Sequence, residues 1–579
     1  MIGVRAFPDS WSSTGTDPRM EGTDPMAPAS QETGQNGIDH DGIDYDVIVV
    51  GGGPVGKMAA LMLGRRGHAV LVLERKEETY PLPRAVAHDA EIARVLQGVG
   101  MPVDSIPDAV EPYDDLYVWV NAAGETLHLV DWRGYDTSGW NNTYFYNQPA
   151  LERHLEAALG DCAGVTLLRG FHATVETQDE QGVTVSGEGE TFRARYVIAA
   201  DGANSATRRH LGIEWTDLGY FFDWLVVDVI PGEGMEKLTI AKQVADPVRP
   251  TTVVPAGPGR RRWEFMRLEG ETNEELTRPE RIWELLRPFD VTPDNAQIER
   301  GVVYTFASGW ASEFRRDRVL LVGDAVHQMP PFAGQGLAAG LRDCLNLTWK
   351  LDLVLKGVLA DAVLDTYGSE RAVHVSDFID FSISLGKIIC IIDHDEAAQR
   401  DAAMIAALAS GRDPEPPPRP RLGAGLHRGD QGGYLSWQGR VDVEDRADVR
   451  FDDVFGPAAL IVRSAEDAQR LTEQEIDRLR SLGVVAVCFD PAFPGSADVS
   501  AFHDARGTYA EWFEQIGADA VLVRPDLYVF GAEAGPGCAN RLADAYSEAV
   551  DAPAAEGTLP QHTSRLVEPV ARVSRRRTK

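Results

Sequence analysis

The sequence predicts an α/β protein whose core is a parallel sheet. Three observations carry this. The apolar run Tyr45-Asp46-Val47-Ile48-Val49-Val50 leads straight into Gly51-Gly52-Gly53-Pro54-Val55-Gly56. A second run, Ala69-Val70-Leu71-Val72-Leu73, ends on the acidic Glu74. Two later runs, at 196–200 and 318–322, end in the turns Asp201-Gly202 and Gly323-Asp324. Short β-branched runs without polar alternation suit strands buried on both faces of a parallel sheet.

Each part of the first unit has a physical reason. Gly51 permits a tight turn, Gly53 lets backbone approach a pyrophosphate, and Gly56 lets helix and strand pack closely. The helix that opens at Pro54 and Val55 brings free N–H groups and a partial positive charge to the phosphates. Glu74, with Arg75 after it, stands at the strand end where an acidic side chain accepts hydrogen bonds from a ribose diol. Lys57 occupies a position where an apolar residue is usual.

Composition bounds the rest. The chain has 579 residues and a formal charge of −33, which argues against a nucleic-acid partner because a phosphate backbone needs a basic face. The five cysteines (Cys162, Cys344, Cys390, Cys488, Cys538) show no CxxC spacing, as expected of reduced thiols in a cytoplasmic protein. No run of about 18 apolar residues suggests a membrane span, and the first residues hold no apolar core of a secretion signal. Asp393-His394-Asp395 lacks further ligand spacing and reads as a solvated loop, so no metal site is expected.

The expected organisation follows from shifts in composition. Residues 1–40 are polar and glycine-rich, a disordered leader. The nucleotide domain spans 41–224 and resumes over 305–410 with long helices, interrupted by a substrate-binding sheet at 225–304. There the pattern alternates, as in Val226-Val227-Asp228-Val229, Thr251-Thr252-Val253-Val254 and Trp263-Glu264-Phe265-Met266. A proline-rich linker covers 411–444. A third unit covers 445–560, with a buried strand around 483–489 and a helix around 509–513. The tail is 561–579.

The most specific stretch comes late. Gly323-Asp324-Ala325-Val326-His327 is followed by Met329-Pro330-Pro331-Phe332-Ala333-Gly334-Gln335-Gly336 and a long helical segment. Together with the glycine loop, Glu74 and Asp201-Gly202, this set resembles the single-component (group A) FAD-dependent flavoprotein hydroxylases over residues 45 to 400. It is most similar to the 3-(3-hydroxyphenyl)propionate hydroxylase subfamily through Pro83-Arg84-Ala85, Asp246-Pro247-Val248-Arg249-Pro250 and Arg261-Arg262-Trp263-Glu264-Phe265-Met266. That subfamily also contains hydroxylases of resorcinols and of polyketide intermediates. The resemblance implies a Rossmann-type FAD-binding domain (GR2, p-hydroxybenzoate hydroxylase-like), an antiparallel β-sheet substrate domain and a C-terminal thioredoxin-like domain. The strand, Arg524-Pro525-Asp526 pattern carries the last resemblance, without the CxxC that dithiol exchange requires.

The implied activity is monooxygenation of a phenolic substrate with NADH or NADPH and O2 through a flavin C4a-hydroperoxide. The implied FAD contacts are Asp324 at the ribityl chain, and Arg84, Gln148, Asp201 and Gly202 at the pyrophosphate and adenosine. Gly334 and Gly336 would lie against the isoalloxazine, Gly323, Pro331, Gln335 and Leu337 are further cofactor-binding positions, and Ala338 stands at the pyrimidine edge where these enzymes commonly have asparagine. The helix starting near Leu337 would direct its positive end at the ring edge where charge collects on reduction. Phenol hydroxylation needs a base or acceptor at the hydroxyl, and His88, Asp89, Arg249, Tyr304 and His327 are the candidates. A same-fold oxidase, halogenase or dehydrogenase is the alternative, although the extra tryptophan-containing motif of halogenases is not found. A homodimer is expected.

Overall fold

The computed structural model describes residues 42–79, 81, 84–233, 235, 240–411, 419 and 421–553. The expected leader, Pro83, the proline-rich segment 412–418 and the tail lie outside the described residues.

Strand Tyr45–Val50 pairs in parallel with Val70–Glu74 on one side and Glu190–Ala199 on the other. Val165–Arg169 extends the sheet past Val70–Glu74, and Val319–Leu321 extends it past Glu190–Ala199, both in parallel. Val47, Ile48, Val49, Val70, Val72, Val197 and Ile198 are fully buried. Each such side chain contributes about 1.5–3 kcal/mol by leaving water, so both faces must be covered. Helix Pro54–Gly64 does this on one side, packed against the long helix Gly336–Leu355 through Cys344 Sγ to the Val55 carbonyl (3.3 Å) and Thr348 to Met62 Sδ (3.4 Å). Lys57 lies inside this packing with no exposed surface, its Nζ 3.1 Å from Glu152 and 3.2 Å from Glu156 of helix Gln148–Gly160. A buried ammonium needs paired carboxylates, which explains how a lysine sits where an apolar residue is expected.

The substrate sheet is larger than the alternating segment alone. Its strand order is His327–Gln328, Ala296–Ala311, Trp215–Pro231, Arg261–Met266, Thr251–Pro255, Ala241–Val244, Leu116–Val120, Thr126–Asp131. All neighbours are antiparallel except Ala241–Val244 with Leu116–Val120. Period two separates two faces. Leu225, Val227, Trp263 and Phe265 point to a core closed by Leu276, Ile282 and Leu286. Trp224, Met266, Tyr117 and Trp119 point to the other, together with Phe306 and Phe332 and the ends of the helices Thr366–Ile389 and His394–Ala409. The last helix corrects one expectation: Asp393-His394-Asp395 is not a loop but a helix start, where Asp393 accepts the backbone N–H groups of Asp395 (2.9 Å) and Glu396 (3.0 Å).

The C-terminal unit holds a mixed sheet in the order Val499–Ala501, Val485–Cys488, Ala459–Val462, Ala520–Val523, Val529–Glu533. Its first three strands are parallel and the last two antiparallel. Within 411–444, Leu422, Leu426, Ser436 and Gln438 are buried, and Arg440–Val443 is already a strand.

Candidate functional site

Sequence-local geometry shapes the phosphate end of the site. Gly51 has φ +109°, and a Cβ there would lie 2.3 Å from the Ala200 carbonyl oxygen. At Gly56 a Cβ would lie 1.9 Å from the Gly51 carbonyl oxygen. Gly53 differs, because a Cβ there would meet no protein atom within 4 Å. It precedes helix Pro54–Gly64, which has no side-chain cap, so the first-turn N–H groups are left for an anion. Glu74 Oε2 accepts the Gly52 N–H (2.7 Å) and Oε1 the Lys76 N–H (2.9 Å). The carboxylate is thereby fixed over the loop, with lone pairs to spare for a diol; Arg75 beside it is exposed.

Gln148 works through its neighbours. Its Oε1 accepts the backbone N–H groups of Arg84 (2.9 Å) and Ala85 (3.1 Å), and its Nε2 donates to Glu152 (2.8 Å). It holds the turn that presents Arg84. Asp324 retains open surface although protein surrounds it, as a residue lining a deep cleft does. Desolvation pushes its carboxyl up, opposed by the charges of His327 and Arg84. One oxygen of Asp201 accepts the Thr207 N–H (3.0 Å), and the other is buried without a partner among the described residues; Gly202 follows at φ +79°.

The proline loop forms the other end. Pro331–Ala333 is one tight turn, Gly334 has φ +67°, and Gln335 precedes helix Gly336–Leu355 without a side-chain cap. A Cβ on Gly334 or Gly336 would find protein no closer than 4.0 Å, so this backbone borders open space. Val55 fills the gap between Gly323 and Gly340, Leu337 is half-buried and Ala338 is buried. Phe332 meets Trp224 edge-on at 5.6 Å between ring centres and Phe306 at 6.0 Å. The loop thus adjoins the aromatic face of the substrate sheet.

The five catalytic candidates are not gathered at one point. His327 is buried, its Nε2 2.7 Å from Asp343, which also accepts from the Gly323 N–H (2.9 Å) and Arg371 Nε (2.8 Å). Asp89 caps helix Ala90–Gly98 through the Ile92 N–H and pairs with Arg342 (2.5 Å). His88 is buried and stacked on Tyr144 at 5.1 Å. Burial holds its imidazole below the usual value, and its Nε2 has no hydrogen-bond partner among the described residues. Arg249 donates to both oxygens of Glu271 (2.6 and 2.7 Å) and to the Met266 carbonyl (2.7 Å). Tyr304 receives a hydrogen bond from Arg300 (3.3 Å) on the aromatic face of the sheet.

Two groups escape a reading of motifs. Arg342 joins the proline loop to the C-terminal unit: it donates to Gln335 (2.8 Å) and Glu91 (2.6 Å), and Tyr528 donates to Glu91 (2.7 Å). On the sheet, Asp228 binds Arg262 (2.7 and 3.1 Å) and Arg300 (2.9 Å), with Glu264 beside them. The second group was accessible to simple counting, because period two in Arg261–Met266 puts Arg262, Glu264 and Met266 on the face opposite Trp263 and Phe265.

A glycine loop, an acidic strand end, an Asp324 cleft and a glycine-bordered proline loop define a protein that binds an extended dinucleotide beside the aromatic face of a sheet. A model of the FAD binding domain family matches residues 44–382, and one of the HcaD C-terminal domain matches 433–549. The chain belongs to this FAD-binding family of flavin-dependent aromatic hydroxylases, and its cofactor is FAD. It is 36% identical over 498 residues to a probable NADH-specific resorcinol 4-hydroxylase of Rhodococcus jostii (strain RHA1), covering 84% of this chain and 91% of that one. It is 33% identical over 514 residues to a 3-(3-hydroxy-phenyl)propionate/3-hydroxycinnamic acid hydroxylase of Mycolicibacterium smegmatis, covering 84% and 90%. Among solved structures it superposes on the flavin-dependent monooxygenase PieE with FAD and substrate (TM-score 0.71, 23% identity, 87% of this chain and 99% of that one). It superposes likewise on aklavinone-11 hydroxylase with FAD and aklavinone (0.70, 24%, 88% and 99%). No helix among the described residues is long and apolar enough to cross a membrane.

Proposed function

We propose that this chain hydroxylates a phenolic ring, using NADH or NADPH and O2, in the chamber between the proline loop and the aromatic face of the substrate sheet. The observation that carries this is the contact of Phe332 with Trp224 and Phe306. It puts the backbone of Gly334 and Gly336 next to a wall shaped for a flat apolar ring. Bound FAD supplies the redox chemistry: it accepts hydride from the nicotinamide and activates O2 for transfer of one oxygen atom.

The residues have separable tasks in this reading. The first-turn N–H groups after Gly53, with Arg84, hold the pyrophosphate, and Gln148 keeps the Arg84 turn in place. Glu74 and Asp324 accept hydrogen bonds from the ribose and ribityl hydroxyls. Asp201 and Gly202 border the same cleft. The uncapped start of helix Gly336–Leu355 turns its positive end toward the ring, which favours negative charge there. Of the candidate bases, Tyr304 lies on the chamber's sheet face, whereas Asp89, His327 and Arg249 are engaged in buried or peripheral ion pairs. The C-terminal unit is thioredoxin-like in this reading, supported by its two-helix crossover between parallel strands and closing antiparallel hairpin. Isotope labelling tests the function. With labelled O2, one labelled oxygen should enter a phenolic product for each NAD(P)H consumed. Peroxide alone with every phenol would point to an oxidase and overturn the proposal.

A further inference from the structure

One row of the substrate sheet carries the polar groups of the chamber. Registered across six strands, it runs His128, Trp119, Gln243, Thr252, Glu264, Val226. Gln243 is engaged at both ends: its Oε1 accepts from Thr252 (2.8 Å) and Tyr117 (3.4 Å), and its Nε2 donates to the Thr251 carbonyl (3.1 Å). Glu264 is not. Its carboxylate accepts no hydrogen bond among the described residues, and its nearest charge is Arg262 Nη1 at 3.6 Å. The side chain is 13% exposed while its strand neighbours on this face are buried, so it looks into the chamber rather than to bulk solvent. Desolvation, partly offset by Arg262, raises its carboxyl above the usual glutamate value.

The charges around it balance. Arg262 and Arg300 are both committed to Asp228, and Arg262 also donates to the Arg84 carbonyl (2.8 Å). With Glu264, two guanidinium groups face two carboxylates, so among the described residues this end of the chamber offers an anion no surplus positive charge. It offers a hydroxyl a carboxylate with unused lone pairs, in a setting where a missing partner is costly.

We propose that Glu264 accepts a hydrogen bond from a substrate hydroxyl, and that the chamber selects neutral dihydroxybenzene-type rings over phenols bearing a carboxylate side chain. This rests on the hydroxylase reading above. A hydroxyl meeting Glu264 gains a charge-assisted hydrogen bond, and it acquires electron density as its proton is drawn toward the carboxylate, which activates the ring for attack at carbon. A carboxylate tail at the same place would face Glu264 across a low-dielectric gap.

The test titrates oxidised holoenzyme with 1,3-dihydroxybenzene and with 3-(3-hydroxyphenyl)propionate, by calorimetry and by the flavin absorbance change, then measures kcat and KM. The wild type should bind the dihydroxybenzene at least tenfold more tightly than the acid. Glu264→Gln should raise the dihydroxybenzene Kd and KM by about tenfold to a hundredfold, the loss expected for one hydrogen bond to a charged group. It should also narrow or reverse the preference against the acid. FAD stoichiometry near one reports folding, and Glu264→Asp, which keeps a shorter carboxylate, should fall between the two. Equal Kd values in wild type and Glu264→Gln, or tighter wild-type binding of the acid, would overturn the inference. Either result could coexist with hydroxylation of some phenol; failure to hydroxylate any phenol would instead strike the reading on which it rests.

Discussion

Glu74 and Asp324 are the two carboxylates proposed to hold hydroxyls of FAD, and they differ in what already holds them. Glu74 is fastened by two backbone N–H groups, whereas the Asp324 carboxyl is pushed up by desolvation in the cleft. Each should contribute one or more charge-assisted hydrogen bonds to FAD, at about 1.5–3 kcal/mol each, or tenfold to a hundredfold in affinity. Glu74→Ala and Asp324→Ala should therefore purify with substoichiometric FAD and regain it at high FAD concentration. Wild-type FAD affinity in both would remove them from the site. Arg249 is argued differently, because its partner is Glu271. Desolvation alone would raise Glu271, but hydrogen bonds from Arg249 and the Leu268 N–H bring its carboxyl down to about 2 from an ordinary value of about 4.5. A carboxyl depressed in the folded state contributes stability that is full above the ordinary value and is lost as pH falls toward 2. Arg249→Met should flatten this acid limb, read as urea midpoints between pH 5 and pH 2.5. Parallel limbs in the two proteins would show that the pair contributes nothing there.

At the scale of elements, helix Gly336–Leu355 links the proline loop to the C-terminal unit at two levels. Near its start Arg342 binds Gln335, Asp89 and Glu91, and Glu91 is held in turn by Tyr528. One turn further, Asn346 and Lys350 bind Glu370, which also takes both terminal nitrogens of Arg524 (2.6 and 2.8 Å). All of these groups except Gln335 and Asp89 are buried, so removing one partner strands another charge. Tyr528→Phe should leave FAD bound but loosen the loop, seen as more peroxide per NAD(P)H and a lower thermal midpoint. Unchanged coupling would limit the C-terminal contact to stability alone. The strands of the nucleotide domain were legible because burial on both faces writes itself as unbroken β-branched runs. The glycines at 51 and 56 were legible because backbone clashes forbid any other residue there. The Arg342 network was not: Glu91 and Tyr528 stand 251 and 186 positions from Arg342, and one sequence holds no record of such pairing. The partner of His327 was hidden for a related reason, since a histidine beside a site motif gives no sign that Asp343 faces it.

For the molecule as a whole, the thiols of the C-terminal unit are spectators. Cys488 and Cys538 are buried, and desolvation pushes both up to about 11, so neither offers a thiolate at neutral pH; Cys488→Ser and Cys538→Ser should retain full turnover, and loss of activity with FAD content intact would contradict this. The remaining question is how the nicotinamide cofactor meets the site. The sequence contains one strand–glycine loop–helix unit of the phosphate-binding kind, at 45–64, and the proposed function assigns it to FAD. NAD(P)H therefore has to dock without a phosphate cradle of its own, weakly and transiently, and its productive approach must depend on what else the chamber holds. The aromatic wall supplies a route for that dependence. A ring seated against Trp224 and Phe306 also touches the territory of Phe332, and Phe332 belongs to the loop that carries Gly334 and Gly336, the glycines proposed to lie against the flavin. Substrate should thus change the loop that carries the cofactor and accelerate NAD(P)H oxidation by orders of magnitude, with product rather than peroxide accounting for the electrons. Phe332→Ala should bind FAD yet blunt this acceleration, because the loop no longer feels the ring. Stopped-flow reduction under anaerobic conditions, with and without the phenol, measures the effect directly; fast reduction in the absence of any aromatic would refute the coupling.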